Sequence, residues 1–238
     1  MINECIILAG GLGTRLRSVI SDMPKCLAPV SGKPFLTYVI NHLKKKGIEN
    51  FIFAVGYKSE VIEKYLQKEF ATINYQLSIE QEPLGTGGAI KLACSKATQK
   101  NILVLNGDTF FAIDVIKLTG FHNRCNASCT LSLKPMQNFH RYGVVELNED
   151  YSIRSFNEKQ FYETGLINGG VYALDAEKFL KKSLPEKFSF EEYLEKSVSL
   201  SRTNKRRMYG VVQDKYFIDI GIPEDYERAQ IELPQNFE

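Results

Sequence analysis

The sequence predicts an α/β fold in which a mostly parallel, mixed sheet is covered by helices on both faces. Two observations carry this prediction. In the first half of the chain, apolar runs without helical periodicity alternate with amphipathic segments, as strands and helices do in parallel sheets. In the second half, strand-like segments follow one another with little helix between them, which indicates an antiparallel addition. No linker or repeat interrupts the chain, so we expect one domain spanning residues 1–238.

Composition narrows the class of protein. A hydrophobic fraction of 44% suffices for a large core, and a net charge of +2 argues against a nucleic-acid or membrane-binding face. No apolar segment is long enough to span a bilayer, and the N-terminus lacks the pattern of a signal peptide. Five cysteines without metal-site spacing suggest reduced thiols and a cytoplasmic location. The sequence leaves open whether the chain forms a homo-oligomer.

In the first half, each element is predicted from its apolar pattern. The run that begins at Ile6 is a buried strand stopped by Gly10 and Gly11. Apolar residues at helical spacing predict a helix over 35–46, which ends at Gly47. The remaining elements are strands over 51–55, 75–79 and 102–105 and an amphipathic helix over 61–70. Ligands of such sheets bind beyond the carboxyl ends of the strands.

In the second half, strands are predicted over 127–133, 143–147, 153–156 and 166–173, and helices over 176–182 and 190–197. The close spacing of the four strands favours antiparallel pairing.

The loop after the first strand predicts phosphate binding. Gly10, Gly11 and Gly13 leave backbone N–H groups open to an anion, and Arg15 and Arg17 add guanidinium charge beside them. The planar fork of an arginine suits phosphate. The spacing fits neither a P-loop nor the dinucleotide fingerprint, so an NAD-dependent oxidoreductase is disfavoured.

This loop and the segment behind it carry a resemblance. Leu8 to Leu16, followed by Pro24 to Val30, resembles the signature of the sugar-1-phosphate nucleotidyltransferases. That family joins a nucleoside triphosphate to a sugar 1-phosphate and releases pyrophosphate. The resemblance implies a Rossmann-like, glycosyltransferase-A-like fold with a nucleotide half over roughly residues 1–120 and a sugar-phosphate half over 121–238. Cys26 departs from the family, which usually has proline after the lysine.

The resemblance also implies roles for the nucleotide-side residues. The expected catalytic residues are Arg15, Lys25 and Asp108, with Lys25 and Arg15 neutralising charge on the phosphates. Residues 82–90 would line the base pocket, with Thr86 as a candidate N-cap of a following helix. The expected nucleotide-binding residues are Leu8, Ala9, Gly10, Gly11, Gly13, Thr14, Arg15, Gln81, Glu82 and Gly87.

On the sugar side, the resemblance implies that Gly143, Glu158, Lys159 and Asn168 bind the sugar phosphate, with Lys159 on its phosphate group. Asp108 and Asp219 are expected to hold Mg²⁺ against the phosphate oxygens, because two carboxylates that each end a strand make a credible metal site. Phe217, Ile222 and Gln160 replace residues that the family usually has, so the pocket there is expected to differ in detail.

Within this family, the motifs resemble those of short guanylyltransferases that act on D-glycero-α-D-manno-heptose 1-phosphate, with GTP as donor and a nucleotide sugar for surface polysaccharide as product. Glu80 and Glu82 are candidate partners of the guanine base. Two alternatives stay open: a uridylyl- or thymidylyltransferase on a hexose 1-phosphate, and a nucleotide-sugar sensor without activity. The presence of Lys25, Asp108 and Asp219 favours an enzyme over a sensor.

Overall fold

The computed structural model describes residues 2–11, 23–200 and 208–237. Its centre is formed by four parallel strands of a larger set of strands and helices. The strands are β1 (Glu4–Leu8), β2 (Pro29–Val30), β3 (Lys33–Pro34), β4 (Asn50–Val55), β5 (Asn74–Ile79), β6 (Asn101–Asn106), β7 (Thr109–Phe111), β8 (Cys129–Phe139), β9 (Val144–Leu147), β10 (Ile153–Asn157), β11 (Tyr162–Asp175), β12 (Tyr209–Val212) and β13 (Phe217–Asp219). The helices are α1 (Phe35–Lys45), α2 (Ser59–Glu69), α3 (Gly85–Cys94), α4 (Val115–Arg124), α5 (Ala176–Leu180), α6 (Phe190–Leu200) and α7 (Pro223–Phe237).

Nine strands of the described part of the chain form the main sheet. Its path runs β10-β9-β11-β6-β1-β4-β5, and β8 pairs with both β11 and β12. Strands β6, β1, β4 and β5 are parallel neighbours, whereas β11 joins β6 antiparallel and carries β8 and β9, also antiparallel. The α/β fold with a parallel centre and an antiparallel addition is therefore confirmed.

The two faces of the sheet bury separate cores. Because side chains alternate along a strand, Ile7 of β1 packs into the core beneath α1, α2, α4 and α7, and Ile6 packs into the core beneath α3, α5 and α6. Strands covered on both faces read as continuous apolar runs, which explains why these segments lack alternation.

A small second sheet ties the end of the chain to the centre of the fold. Strand β7, just after β6, pairs antiparallel with β13, with Thr109 opposite Asp219. The backbone N–H of Ile220 also donates to the carbonyl of Asp108 at 3.0 Å. This pairing brings two distant parts of the sequence to the carboxyl end of β6.

Two helices were not predicted from the sequence. The side chain of Asp114 caps α4 by accepting from the Lys117 N–H at 2.9 Å. Helix α7 begins at Pro223, with Glu224 and Asp225 in its first turn. Both starts carry recognisable signals, an aspartate N-cap and a proline with acidic residues in the first turn.

All five cysteines lie in the described ranges, and all are free thiols. In the part of the chain that the structure describes, no helix combines the length and the apolar composition that a membrane crossing requires.

Candidate active site

The loop that follows β1 lies beside the end of β6. The N–H of Gly107 donates to the carbonyl of Leu8 at 2.9 Å. A Cβ at Gly107 would collide with that same carbonyl, so only glycine permits this approach. The backbone of Leu8 and Ala9 thus lies against Gly107, the residue before Asp108.

Asp219 is held beside Asp108 by the β7–β13 pairing. Its Oδ1 accepts the N–H of Gly221 at 2.7 Å, which orients the carboxylate. Burial raises the pKa of Asp219 above its ordinary value, and the negative charge of Asp108 raises it further. Asp108 is therefore close enough to Asp219 to influence its ionisation.

Lys25 joins this pair. It begins a short 3₁₀ turn, Lys25–Leu27, in which Cys26 and Leu27 are buried and anchor the turn. The Nζ of Lys25 lies 2.5 Å from Asp108 Oδ2, with side chains 14% and 36% exposed respectively. Its positive charge partly offsets the rise in the pKa of Asp219. Two carboxylates and one ammonium group thus form a cluster, which we call the ionic cluster: Lys25, Asp108 and Asp219.

Cys26 replaces the proline that is usual in the family. Its Sγ lies 3.9 Å from the carbonyl of Ala9, the geometry of a weak S–H donor. Burial and the nearby Asp108 raise the pKa of the thiol to about 12, so Cys26 stays protonated and is a packing residue rather than a nucleophile.

The ionic cluster fits a divalent cation. Mg²⁺ is commonly bound by one or two carboxylates together with phosphate oxygens of the substrate. Asp108 and Asp219 supply such a donor pair. Within residues 2–11, 23–200 and 208–237, no group of three or more His, Cys, Asp or Glu side chains could hold a metal by itself. A cation here would therefore depend on oxygens from the substrate.

Two cavities meet at this cluster. The smaller, of about 180 Å³, is lined by Leu8, Ala9, Gly11, Lys25, Cys26, Thr86, Asn106, Gly107, Asp108 and Glu191. Three residues expected to bind the nucleotide, Leu8, Ala9 and Gly11, lie here together with Lys25 and Asp108, which were expected to be catalytic. Gly13, Thr14 and Arg15 lie outside the described residues, and their roles stay predictions.

The larger cavity, of about 320 Å³, lies on the side of the antiparallel strands. It is lined by all four residues predicted to bind the sugar phosphate, Gly143, Glu158, Lys159 and Asn168, and by Asp219. The side chains of Glu158 and Lys159 are exposed. The structure therefore collects the predicted sugar-side residues in one place, next to the ionic cluster.

Two of these residues, Gly143 and Asn168, are also required by the packing and hydrogen bonding of the fold. A Cβ at Gly143 would overlap the carbonyl of Asn157 in the neighbouring strand. The side chain of Asn168 donates to the Tyr172 hydroxyl at 2.9 Å and accepts the N–H of Gly170 at 3.1 Å, across an irregularity in β11. Their proposed contacts with a sugar would be added to these constraints.

The residues expected to contact the base, unlike those expected at the sugar phosphate, line neither of the two cavities next to the ionic cluster. Gln81 and Glu82 are exposed, and they line neither cavity. Gly10 packs closely instead: a Cβ there would lie 3.0 Å from the backbone nitrogen of Gly56 and 3.3 Å from Glu80 Oε1. Glu80 thus lies against Gly10 in the loop after β1, which we call the glycine loop. The Oε2 of Glu80 accepts the N–H of Leu84 at 3.1 Å.

Thr86 is not an N-cap, contrary to the sequence-based expectation. Helix α3 begins at Gly85, and Leu84 occupies the cap position without a side-chain bond. The Thr86 hydroxyl instead accepts the N–H of Phe190 at 2.8 Å and donates to Glu191 at 3.0 Å. It therefore connects the start of α3 to the start of α6.

Gly87 has a packing role that the sequence did not reveal. Its N–H donates to the carbonyl of Phe188 at 3.0 Å, and a Cβ would overlap the Phe188 ring. Gly87 lines neither cavity. The expectation that it contacts a base stays a prediction, and close packing is a separate reason for glycine here.

Gly87→Ala should lower the free energy of unfolding by about 1–3 kcal/mol, because the new methyl group must displace the partly buried ring of Phe188. The melting temperature should fall by several degrees in a thermal scan. Gly120→Ala in α4 is the matched control, since the nearest atom to its new Cβ lies 3.8 Å away; it should keep or raise the melting temperature. An unchanged melting temperature with a raised KM for the nucleotide would contradict the packing role.

Several cavity residues were not identified from the sequence. Asn106 and Glu191 line both cavities, and Arg141, Tyr142 and Glu195 line the larger one. Arg141 forms a bidentate pair with Glu224 at 3.0 and 3.1 Å. Asn106 comes directly after the strand predicted over 102–105 and could have been found on that basis. Nothing in the spacing of α6 indicates that Glu191 and Glu195 face a cavity shared with residues far away in sequence.

Comparison with known proteins gives consistent matches over almost the whole chain. The family described as nucleotidyl transferase matches residues 4–236. The D-glycero-alpha-D-manno-heptose 1-phosphate guanylyltransferase of Aneurinibacillus thermoaerophilus is 49% identical over 231 residues, which is 97% of this chain and 98% of the relative. The enzyme of that name from Campylobacter jejuni is 50% identical over 224 residues, 94% of this chain and 96% of the relative.

Solved structures are similar as well. HddC from Yersinia pseudotuberculosis complexed with GMP-PN is 36% identical, with a TM-score of 0.84 over 96% of this chain and 98% of that chain. The inositol-1-phosphate CTP transferase from T. maritima has a TM-score of 0.80, with 100% and 98% of the two chains covered. At 19% identity it shows similarity of fold alone.

Proposed function

Because the chain belongs to the nucleotidyl transferase family, we propose that it transfers GMP from GTP to D-glycero-α-D-manno-heptose 1-phosphate and releases pyrophosphate. The product is the corresponding GDP-heptose. High identity to two relatives that carry this name supports the choice of donor and acceptor.

The observation that carries the proposal is the position of the ionic cluster between two cavities. Lys25 and Asp108 line the smaller cavity, and Asp219 lines the larger one. Asn106 and Glu191 line both, so the cavities share a wall. A nucleotide in the smaller cavity and a sugar 1-phosphate in the larger would place their phosphates together at this wall. A single-substrate binding protein has no need of such an arrangement.

In the proposed reaction, an oxygen of the sugar 1-phosphate attacks the α-phosphorus of GTP in line with the departing pyrophosphate. The protein needs no nucleophile of its own, and its contribution is positioning and charge stabilisation. Lys25 neutralises negative charge that grows on the phosphate oxygens. Lys159, at the edge of the larger cavity, holds the attacking phosphate, and the backbone of Ala9 to Gly11 lies along the nucleotide phosphates.

Asp108 and Asp219 would hold Mg²⁺ in this proposal. Bound there, Mg²⁺ would screen the charge of the two phosphate groups that must approach each other. Burial and Asp108 both disfavour the ionised form of Asp219 and so raise its pKa, and a cation bound there would favour the ionised form.

We assign recognition of guanine to Glu80. Its carboxylate lies between the glycine loop and Leu84, beyond the end of β5. Guanine presents two donors, the N1–H and the exocyclic amine, and a carboxylate is an acceptor. A base without these donors would leave Glu80 Oε1 without a partner from the ligand, and such differences in hydrogen bonding give strong discrimination. Glu82 is exposed and is the less suitable of the two candidates.

The experiment is kcat/KM for GTP, ATP, UTP, dTTP and CTP with the heptose 1-phosphate as acceptor. GTP should be preferred, and Glu80→Gln should reduce that preference by about tenfold or more, because an amide matches guanine poorly. Glu82→Gln is the matched control and should leave the preference unchanged. A tenfold preference of the wild type for UTP or dTTP, about 1.4 kcal/mol, would overturn the guanylyl assignment and favour the uridylyl or thymidylyl alternative.

We further propose a cytoplasmic location and a product that supplies surface polysaccharide synthesis, such as capsule or lipopolysaccharide. The five free cysteines support the location.

The absence of turnover with every triphosphate, together with tight binding of a nucleotide sugar, would favour the sensor alternative.

A further inference from the structure

Helix α6 contributes two carboxylates to the substrate side of the fold. Glu191 and Glu195 are four residues apart, so they lie on one face of the helix. Both line the larger cavity. Like charges at this spacing destabilise a helix. Neither forms an ion pair with a described residue, whereas Glu192 on the same helix pairs with Lys196 at 3.6 Å. Helix stability gives a reason for Glu191, which lies in the first turn of α6, but none for Glu195.

Among the residues that the structure describes, Glu191 has hydrogen-bond partners and Glu195 has none. Glu191 Oε2 accepts from the hydroxyls of Thr86 at 3.0 Å and Ser189 at 2.8 Å, which fixes it at the shared wall of the two cavities. Glu195 is exposed and makes no hydrogen bond with any residue that the structure describes. Its carboxylate is free to accept hydrogen bonds from a molecule in the cavity.

The direction of α6 tells which part of a sugar Glu195 would meet. Glu191 lies at the wall shared with the smaller cavity, whereas Glu195 lines only the larger one. One helical turn separates them, about 5.4 Å along the axis. The helix therefore runs from the shared wall along the larger cavity. A sugar whose 1-phosphate lies at the cluster would present its far end, away from C1, to Glu195.

Resting on the proposed function, we propose that Glu195 determines acceptor specificity by accepting hydrogen bonds from the hydroxyl groups at the end of the sugar remote from C1. Carboxylate oxygens only accept, and sugar hydroxyls donate readily. A heptose carries one more carbon and one more hydroxyl at this end than a hexose does. Its two terminal hydroxyls can bind the two oxygens of one carboxylate, which a mannose 1-phosphate can do only in part.

The start of α6 is held in place by hydrogen bonds to residues at the start of α3. Phe188 exchanges backbone hydrogen bonds with Leu84 and Gly87, and Thr86 bonds to both Phe190 and Glu191. These contacts hold α6 against α3, so the carboxylate of Glu195 projects from a fixed wall of the cavity.

The test compares two acceptors, the heptose 1-phosphate and mannose 1-phosphate, with GTP as donor. Glu195→Ala should lower kcat/KM for the heptose acceptor by roughly 10- to 100-fold, the effect of losing hydrogen bonds to a charged group. The loss should appear mainly in KM, since these contacts exist before and during reaction. The value for mannose 1-phosphate should change much less, and the KM for GTP should stay the same.

Glu195→Gln keeps one acceptor oxygen and should lie between the wild type and the alanine variant. Glu192→Ala is the matched control on the same helix and should retain the wild-type ratio of the two acceptors. An equal loss with both acceptors, or an unchanged ratio, would overturn the role of Glu195 while leaving the transferase reaction in place. A wild-type protein that uses neither acceptor would overturn the proposed function, and this inference with it.

Discussion

Asp219→Asn should lower kcat by about 100-fold or more at saturating GTP and Mg²⁺. An amide cannot supply the negative charge that a divalent cation requires. The fold should be retained, because asparagine can still accept the hydrogen bond that Gly221 donates to Oδ1 at 2.7 Å. The measurement is the steady-state rate of pyrophosphate release across a range of Mg²⁺ concentrations.

Asp214→Asn is the control for this variant. Asp214 lies in the same region of the chain, is exposed and pairs with Lys134 at 2.6 Å, away from the ionic cluster. Its rate should equal that of the wild type. Full activity of Asp219→Asn at saturating Mg²⁺ would contradict the two-carboxylate site.

The same variant should be more stable than the wild type in metal-free buffer at neutral pH. Burial, then Asp108, raises the pKa of Asp219, so the folded protein binds this proton more tightly than the unfolded chain does. The ionised carboxylate therefore costs stability above the raised pKa. As the pH falls below the ordinary pKa of aspartate, the difference in melting temperature should disappear. A lower melting temperature at pH 7 would contradict this account.

Lys25→Met should lower kcat by about 100- to 1,000-fold, the usual effect of removing a group that stabilises transition-state charge. Methionine preserves most of the apolar stem, so the 3₁₀ turn anchored by Cys26 and Leu27 should stay folded. The KM for the sugar 1-phosphate should change less than kcat. Single-turnover measurements with saturating substrates separate the chemical step from binding.

Lys68→Met is the control for loss of a lysine, since Lys68 is exposed on α2 and pairs with Glu69 at 3.0 Å. It should keep the wild-type rate. If Lys25→Met changed only the KM for GTP and left kcat intact, Lys25 would be a binding residue without a specific part in the transition state.

The central sheet could be predicted from sequence because its strands are buried on both faces. The run from Ile6 and residues 51–55 and 102–105 are apolar throughout, a pattern that few other elements share. The structure places them as neighbouring parallel strands. Helix α7 was missed although Pro223 and the acidic residues after it mark its start.

The site could be predicted only in part, for a physical reason. Asp108 lies two residues after the end of β6, so its position at the carboxyl edge is a local property of the sequence. The approach of Asp219 depends on the pairing of β7 with β13, and only the resemblance to a known family pointed to it. For Thr86 the local sequence was misleading. Its position suggested a helix N-cap, but its hydroxyl instead forms hydrogen bonds with Phe190 and Glu191, which are distant in sequence.

The most direct test of the central claim is the fate of the α-phosphate of GTP. The protein would be incubated with Mg²⁺, the heptose 1-phosphate and GTP radiolabelled at the α-phosphate, and the products would be separated. We expect the label in a nucleotide sugar, formed in equal amount with unlabelled pyrophosphate. Label that stays in GTP, or that appears as free GMP or GDP without a sugar attached, would contradict the proposed transfer.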